Sequence, residues 1–467
     1  MLKTKIVCTI GPASESREII RQLIAEGMNV ARLNFSHGTH REHIEKIKII
    51  RSVSAELGKP VAVLQDLCGP KIRVGKVREP GVALKPGQTY VLTSEAVEGD
   101  ETMVSVSYAD LPDEVYPNDR ILLADGMMEM VVKKTDRTKI FCDVIIGGLL
   151  TSHKGINLPM RTLKTSSLTE KDRADLNVGL EHEVDYVGLS FVRNAADIQR
   201  VKDIIAAAGK DTPVIAKIEK HEALANIDEI MNVSDGIMVA RGDLGVEIDI
   251  ENIPGIQKML VAKANAAGKP VIIATQMLRS MVHAPRPTRA EASDVANAVL
   301  DGADAVMLSE ETASGDFPVE AVRYMARISE IVEKTYPHER YLKVLPAKKI
   351  PEAVAYASCV LADHLEVQAI VPTTHSGFTA KQISRFRPKT KIIALSPDQK
   401  TVRRLALYWG CLPSFVPDPR DTDEMIEKAA QSALATGNVV KGDLIIITAG
   451  YPVWAAGTTK MLKVKKL

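Results

Sequence analysis

Aromatic residues are scarce in this chain: Phe, Tyr and Trp together make up 4% of its 467 residues. A surface that grips single-stranded nucleic acid by stacking bases needs such rings, so that class is disfavoured. An excess of one charge is missing too. Sixty Lys and Arg stand against 59 Asp and Glu, a formal +1 that gives no global pull toward nucleic acid or an acidic membrane. No apolar run approaches the length of a membrane span. The five cysteines (Cys8, Cys68, Cys142, Cys359, Cys411) are odd in number, scattered and without a C-x-x-C pair. That argues against a disulfide framework or a zinc site and points to a reducing cytoplasm. The opening stretch, Met1 to Ile10, lacks the apolar h-region and cleavage site of a signal peptide and reads as a first strand.

What is present is an ordinary soluble composition, 45% hydrophobic and 25% charged, in a chain long enough for roughly three domains. Strand candidates recur at Thr4–Thr9, Asn29–Phe35, Val61–Leu67, Tyr186–Val192, Val214–Glu219, Gly236–Ala240, Pro270–Thr275 and Ala305–Ser309. Helical patterns lie between most of them. Thr169 to Asp172 and Thr288 to Glu291 read as capping boxes, and Gly27, Gly268 and Gly302 sit where helices should end. Eight βα alternations predict an α/β fold, a (β/α)8 TIM barrel over residues 1–68 and 166–340. Residues 69–165 are far more chain than one βα unit needs. Turn signals and short β-rich pieces there (Gln88–Leu92, Lys139–Ile146) predict an inserted all-β domain after strand three. It is either a mobile lid over the barrel mouth or a rigid decoration. Tyr336–Pro351 reads as a linker, and residues 341–467 as a separate open α/β domain with a mostly parallel sheet.

The stretch Val214–Lys220 organises the rest. It is an apolar, β-branched run that turns abruptly charged, with Lys217 and Glu219 on one face. Desolvating either ion costs several kcal/mol. The pair is therefore either a structural ion pair or a site with an oxygen ligand for a hard metal beside a cation. Other predicted strand ends carry Arg32, Asn34 and Ser36, Asp66, the run Arg241-Gly-Asp243, Thr275, and Ser309-Glu-Glu311. A barrel collects its chemistry at those ends. Glu219 and Asp243 without a His or Cys partner favour Mg²⁺ or Mn²⁺. Arg32, Arg73 and Lys217 supply the cations that phosphoryl transfer needs, and Gly242 leaves backbone N–H groups open to a carboxylate. Thr275 either hydrogen-bonds an enolate or relays a proton, or simply bonds the backbone. His37 reads as a supporting or surface residue before an acid–base one. The residues alone thus predict Mg²⁺-dependent chemistry on a small phosphorylated carboxylate.

At these positions the chain resembles the pyruvate kinase family. The matching blocks are Thr4 to Ala13, Ala31-Arg-Leu-Asn-Phe-Ser-His-Gly38, Ala216-Lys-Ile-Glu219, Met238 to Glu247, Ala274-Thr-Gln-Met-Leu278 and Met307-Leu-Ser-Glu-Glu-Thr312. The resemblance covers essentially the whole chain. It implies transfer of the phosphoryl group of phosphoenolpyruvate to ADP, then protonation of enolpyruvate to pyruvate. It further implies that Lys217 stabilises the transferring group, Arg32 contacts the phosphate, and Glu219 and Asp243 bind the divalent ion. Gly242, Asp243 and Thr275 would hold the carboxylate and enolate end. Asn34, His37, Arg73 and Lys154 fall at nucleotide positions, and Asp125 resembles a lid residue facing the closed site. A cytoplasmic homotetramer without nucleic-acid or membrane partners is the family expectation.

Two departures matter. Potassium-dependent relatives follow the strand-three aspartate with Thr-Lys-Gly-Pro-Glu, whereas this chain reads Asp66-Leu-Cys-Gly-Pro-Lys71. Asn34, Ser36 and Asp66 match the monovalent-cation pocket. Lys71 stands where a carboxylate is expected, and its ammonium can supply the charge of K⁺. K⁺ is then not required. In the C-terminal domain, the loop Thr373 to Thr379 is a candidate cradle for a phosphorylated allosteric effector. Phe378 stands where many relatives carry a basic residue, a loss that Lys381 or groups from Gly450–Gly457 would have to offset. Two rival readings are a Mg²⁺-dependent aldolase or decarboxylase passing through a pyruvate enolate, and a silent metabolite sensor.

Overall fold

The structure, a computed structural model, describes residues 2–343, 346, 348–450 and 459–467. Eight parallel strands close into a barrel: β1 (Lys5–Thr9), β2 (Met28–Asn34), β3 (Ala62–Asp66), β4 (Tyr186–Leu189), β5 (Val214–Ile218), β6 (Gly236–Ala240), β7 (Val271–Ala274) and β8 (Ala305–Leu308). Each strand pairs with its sequence neighbours, and β1 pairs with β8 in the register Lys5 to Ala305. Both faces of these strands are buried, which is why they read as continuous apolar runs. One face fills the lumen with Val7, Val30, Leu64, Ile215, Met238 and Ile272. The other packs on the surrounding helices. Both capping boxes form, Thr169 with Asp172 and Thr288 with Glu291.

Most strands stop a residue or two short of the predicted ends. Glu219 and Thr275 therefore stand just past β5 and β7, in loops free to depart from the pleat. Thr275 and Gln276 use that freedom, with φ of 72° and 55°.

The insertion after β3 has its own core, including Tyr90, Leu92, Ile121, Met130 and Ile140. That core lies in a six-stranded sheet and a two-stranded one, with a four-residue helix, Leu111–Glu114, that the all-β expectation did not include. Arg193 donates to the Leu163 and Thr165 carbonyls, fastening the returning linker to the barrel.

The C-terminal sheet runs in the order Cys411–Phe415, Lys391–Ser396, Ala369–Thr373, Leu444–Gly450, Thr459–Lys466, with the last strand antiparallel. Cys411–Phe415 was not anticipated, because Pro413 interrupts its β pattern. It is tolerated because the strand lies at the sheet edge. This domain closes the barrel floor. Leu407 joins the lumen cluster, Tyr186 Oη donates to the Arg404 carbonyl at 2.6 Å, and Lys5 Nζ donates to the Cys411 carbonyl at 2.6 Å. The expected linker carries regular structure in its described part. Tyr336 is buried against Trp409, and His338–Leu342 forms a helical turn. No helix among the described residues is long and apolar enough to cross a membrane.

Candidate active site

Four charged side chains interlock at the barrel mouth. Asp66, the last residue of β3, is 1% exposed. Its Oδ2 accepts from Arg32 Nε at 2.7 Å and lies 2.6 Å from Arg32 Nη2, so two guanidinium nitrogens share one carboxylate oxygen between neighbouring strands. Its Oδ1 lies 3.1 Å from Lys217 Nζ. The same ammonium is 2.8 Å from Glu219 Oε1 and donates to Ser190 Oγ at 2.7 Å. Arg32 Nη1 donates in turn to Thr9 Oγ1 at 2.9 Å.

Burial opposes the charges of Lys217, Asp66 and Glu219, so their pKa directions report how well each is compensated. For Lys217, burial favours the neutral amine, but Asp66 and Glu219 outweigh it and raise its pKa above the ordinary lysine value. For Asp66, burial is outweighed by Lys217 and Arg32, which hold its carboxyl below the usual range. Glu219 differs. Burial raises its pKa, nearby Asp243 adds to this, and Lys217 with the Phe191 N–H (2.8 Å) does not fully reverse it. Glu219 is a carboxylate short of positive charge.

Asp243 lies in the first turn of the helix Arg241–Glu247, more open to solvent, its Oδ1 3.5 Å from Lys71 Nζ. Two carboxylates, one of them undercompensated, and no sulfur or imidazole among these partners form a donor set that fits a hard divalent cation. The nearby Gly242 N–H donates to Thr275 Oγ1 at 2.7 Å, and that hydroxyl donates to the Ala274 carbonyl. The amide expected to meet a carboxylate is thus held by the hydroxyl expected to share it.

The nucleotide candidates lie at the end of β2, just after it, and in the insertion. His37 has its pKa lowered, by burial first and then by Arg73, Arg32 and Lys71, so these cations converge on the ring. Arg73 donates to the His153 carbonyl at 3.1 Å and bridges Gly155, next to the exposed Lys154. Asn34 Oδ1 accepts from the Ser36 N–H at 3.1 Å. Lys71 contacts Asp243 and, at 3.8 Å, Asp125 of the insertion. Among the described residues its recorded partners do not include Asn34, Ser36 or Asp66.

Residues 1–322 match the family model "Pyruvate kinase, barrel domain", and residues 352–465 match "Pyruvate kinase, alpha/beta domain". The chain belongs to the pyruvate kinase family. "Pyruvate kinase 2" of Synechocystis sp. is 50% identical over 99% of this chain and 79% of its own length. Pyruvate kinases of Clostridium acetobutylicum (44% identical; 100% of this chain and 99% of that protein) and Geobacillus stearothermophilus (46%; 99% and 80%) are similar throughout. As a member of the pyruvate kinase family this chain is an enzyme, a phosphotransferase.

The residues missed from sequence are Thr9 and Ser190, which hold Arg32 and Lys217. Both follow or end barrel strands, so applying the strand-end rule to β1 and β4 as well would have found them. Arg241 was also passed over. It is paired with Asp294 at 2.6 and 2.7 Å and donates to the Thr275 carbonyl at 2.8 Å, supporting that left-handed turn. Glu311, grouped with the strand ends, instead accepts from the Leu278 and Ser309 N–H groups and braces the loop after β7. In the C-terminal domain, Thr379 Oγ1 is 2.6 Å from Thr459 Oγ1. Lys381 is turned over the Tyr408 ring, toward the crevice against the barrel. Residues 451–457, the other proposed source of compensating groups, lie outside the described residues.

Proposed function

We propose that this enzyme transfers the phosphoryl group of phosphoenolpyruvate to ADP and then protonates the enolpyruvate released, giving pyruvate and ATP. The P–O bond to the enol oxygen breaks as a β-phosphate oxygen of ADP bonds to phosphorus, and C3 of the enol then takes a proton. Arg32 binds the phosphate and Lys217 faces the oxygens of the phosphoryl group in flight, where fixed charges act most strongly. Glu219 and Asp243 would hold Mg²⁺ or Mn²⁺, which when bound neutralises the charge developing on the enolate and phosphoryl oxygens. The Asp243 backbone N–H, with the Gly242 N–H and the Thr275 hydroxyl once substrate displaces the hydrogen bond between those two, orients the carboxylate and enolate. Asn34, His37, Arg73 and Lys154 hold the nucleotide, and the inserted domain closes over it, Asp125 facing in. The observation that carries this reading is the Arg32–Asp66–Lys217–Glu219 cluster. The Lys217 ammonium there is held charged in a buried site beside an undercompensated carboxylate, with Arg32 paired to Asp66 next to it. A coupled pyruvate assay with phosphoenolpyruvate, ADP and Mg²⁺ tests it; pyruvate formation that ignores ADP would end it.

Potassium independence belongs to the same proposal. The ammonium of Lys71, which lies 3.5 Å from Asp243 and 3.8 Å from Asp125, would supply the positive charge that K⁺ otherwise brings to the pocket of Asn34, Ser36 and Asp66. Activity should persist with tetramethylammonium as the only monovalent cation, and Lys71→Glu should create a requirement for K⁺. Collapse of the unmodified enzyme without K⁺ refutes it. A phosphorylated effector at the 373–379 loop, assembly as a homotetramer and residence in the cytoplasm complete the proposal. These three rest on the family and on the hydroxyl-rich loop sequence. A saturation curve for phosphoenolpyruvate that no sugar phosphate or nucleotide shifts would remove the effector.

A further inference from the structure

The carboxylates proposed for the divalent ion stand on different elements: Glu219 one residue past β5, Asp243 on the helix that follows β6. The ladder between β5 and β6 ends at the pair Ile218 and Val239. Past that pair no strand hydrogen bond fixes the distance from one carboxylate to the other.

A polar strut takes over there. Asp243 and Glu247 are four residues apart on the helix Arg241–Glu247, hence one turn apart on the same face. The Glu247 side chain is fully buried, and Lys220, the residue directly after Glu219, places Nζ 2.6 Å from its Oε1. His221, the next residue, has Nδ1 3.5 Å from Glu247 Oε2 and 3.1 Å from Glu222 Oε2. The loop bearing Glu219 is thereby tied, through its next two residues, to the helix bearing Asp243. His221, Glu222 and Glu247 offer ligand atoms within 4.8 Å of one another, which resembles a second cation site. The Lys220 ammonium already sits against Glu247, so a further cation would meet a fixed positive charge. The cluster fastens rather than coordinates.

We infer that Glu247 is a positioning residue: through Lys220 and His221 it sets the separation of Glu219 and Asp243, and so the affinity for the divalent ion. The inference rests on the metal reading above and names the groups that make the pair a preformed site. Metal ligands tolerate shifts of only a few tenths of an ångström, and loss of a supporting partner commonly weakens metal binding about 10–100-fold.

The test is Mn²⁺ binding to the full-length enzyme without substrates, read from the free-ion electron paramagnetic resonance signal. Glu247→Leu should weaken Mn²⁺ binding by about tenfold or more. Glu247→Gln, which keeps an oxygen for Lys220, should stay within about threefold of the unmodified enzyme. In turnover, the Leu variant should lose in KM for the metal rather than in kcat. A folded Glu247→Leu protein that binds Mn²⁺ within about twofold of normal overturns the inference, as does a Gln variant as weak as the Leu variant. Should the Leu variant fail to fold, Lys220→Met decides: about tenfold weaker binding supports the strut, and unchanged binding removes it. If the unmodified enzyme binds no Mn²⁺, the metal reading itself falls and this inference with it.

Discussion

The barrel carries a buried ionic cluster at each end, and the carboxylates of the two are satisfied to different degrees. At the floor, Arg387 is 1% exposed and donates to both oxygens of Asp304, at 2.9 and 2.8 Å, and to Asn265 Oδ1 and the Gly302 carbonyl. Each Asp304 oxygen accepts a further backbone N–H, from Trp409 and Val271. At the mouth, Asp66 Oδ1 has the Lys217 ammonium 3.1 Å away but no well-formed hydrogen bond, and burial leaves the Glu219 carboxyl raised. A buried carboxylate with both oxygens filled joins two domains at the floor, with only Arg387 Nε there left without a partner among the guanidinium nitrogens. Buried charges left short of partners await a ligand. The floor carboxylate has both oxygens filled; the mouth is completed by what it binds.

Cutting the floor cluster should give the largest change in stability. Arg387→Met strands Asp304 in the interior and should lower unfolding free energy by about 3–5 kcal/mol, measured by denaturant titration. The folded fraction should keep its kcat. Cutting the mouth cluster should do the reverse: Lys217→Met should lower kcat about 10²–10³-fold, with a smaller loss of stability than Arg387→Met. If the two variants traded these phenotypes, the contrast between the ends would be broken.

A finer test uses His338 at the floor. Its pKa is lowered to about 4, chiefly by burial, and with Lys3 nearby. Nδ1 faces the Arg387 carbonyl at 2.8 Å and so carries the proton, while Nε2 lies 3.5 Å from Lys3 Nζ. The unfolded chain therefore binds a proton more readily than the folded one between about pH 6.5 and about 4. Stability should fall as pH drops through that window. His338→Gln should flatten that part of the stability–pH curve, and an unchanged slope would show that the ring is not what titrates there.

Most of the barrel was legible because strands buried on both faces write themselves as unbroken apolar runs, and because charged residues at their ends stand out against that background. The mouth cluster was legible for the same reason. Its hydroxyl partners were less so: Thr9 and Ser190 are ordinary residues whose importance comes from where Arg32 and Lys217 reach. The edge strand around Pro413 was hidden by a residue that forbids a central strand and permits an outer one. Tyr336 looked like linker because only the fold brings Trp409 to it. The turn at Thr275 was invisible, since a left-handed threonine is dictated by surroundings, among them Arg241.

The register that sets Lys5 beside Ala305 has a consequence for biosynthesis. A ribosome releases the first strand long before its second neighbour exists, and must then translate on through Cys411 before Lys5 meets its carbonyl partner. Over that interval an apolar strand edge is open to the cytosol or to a chaperone. The first barrel strand is therefore among the last elements to find its final company.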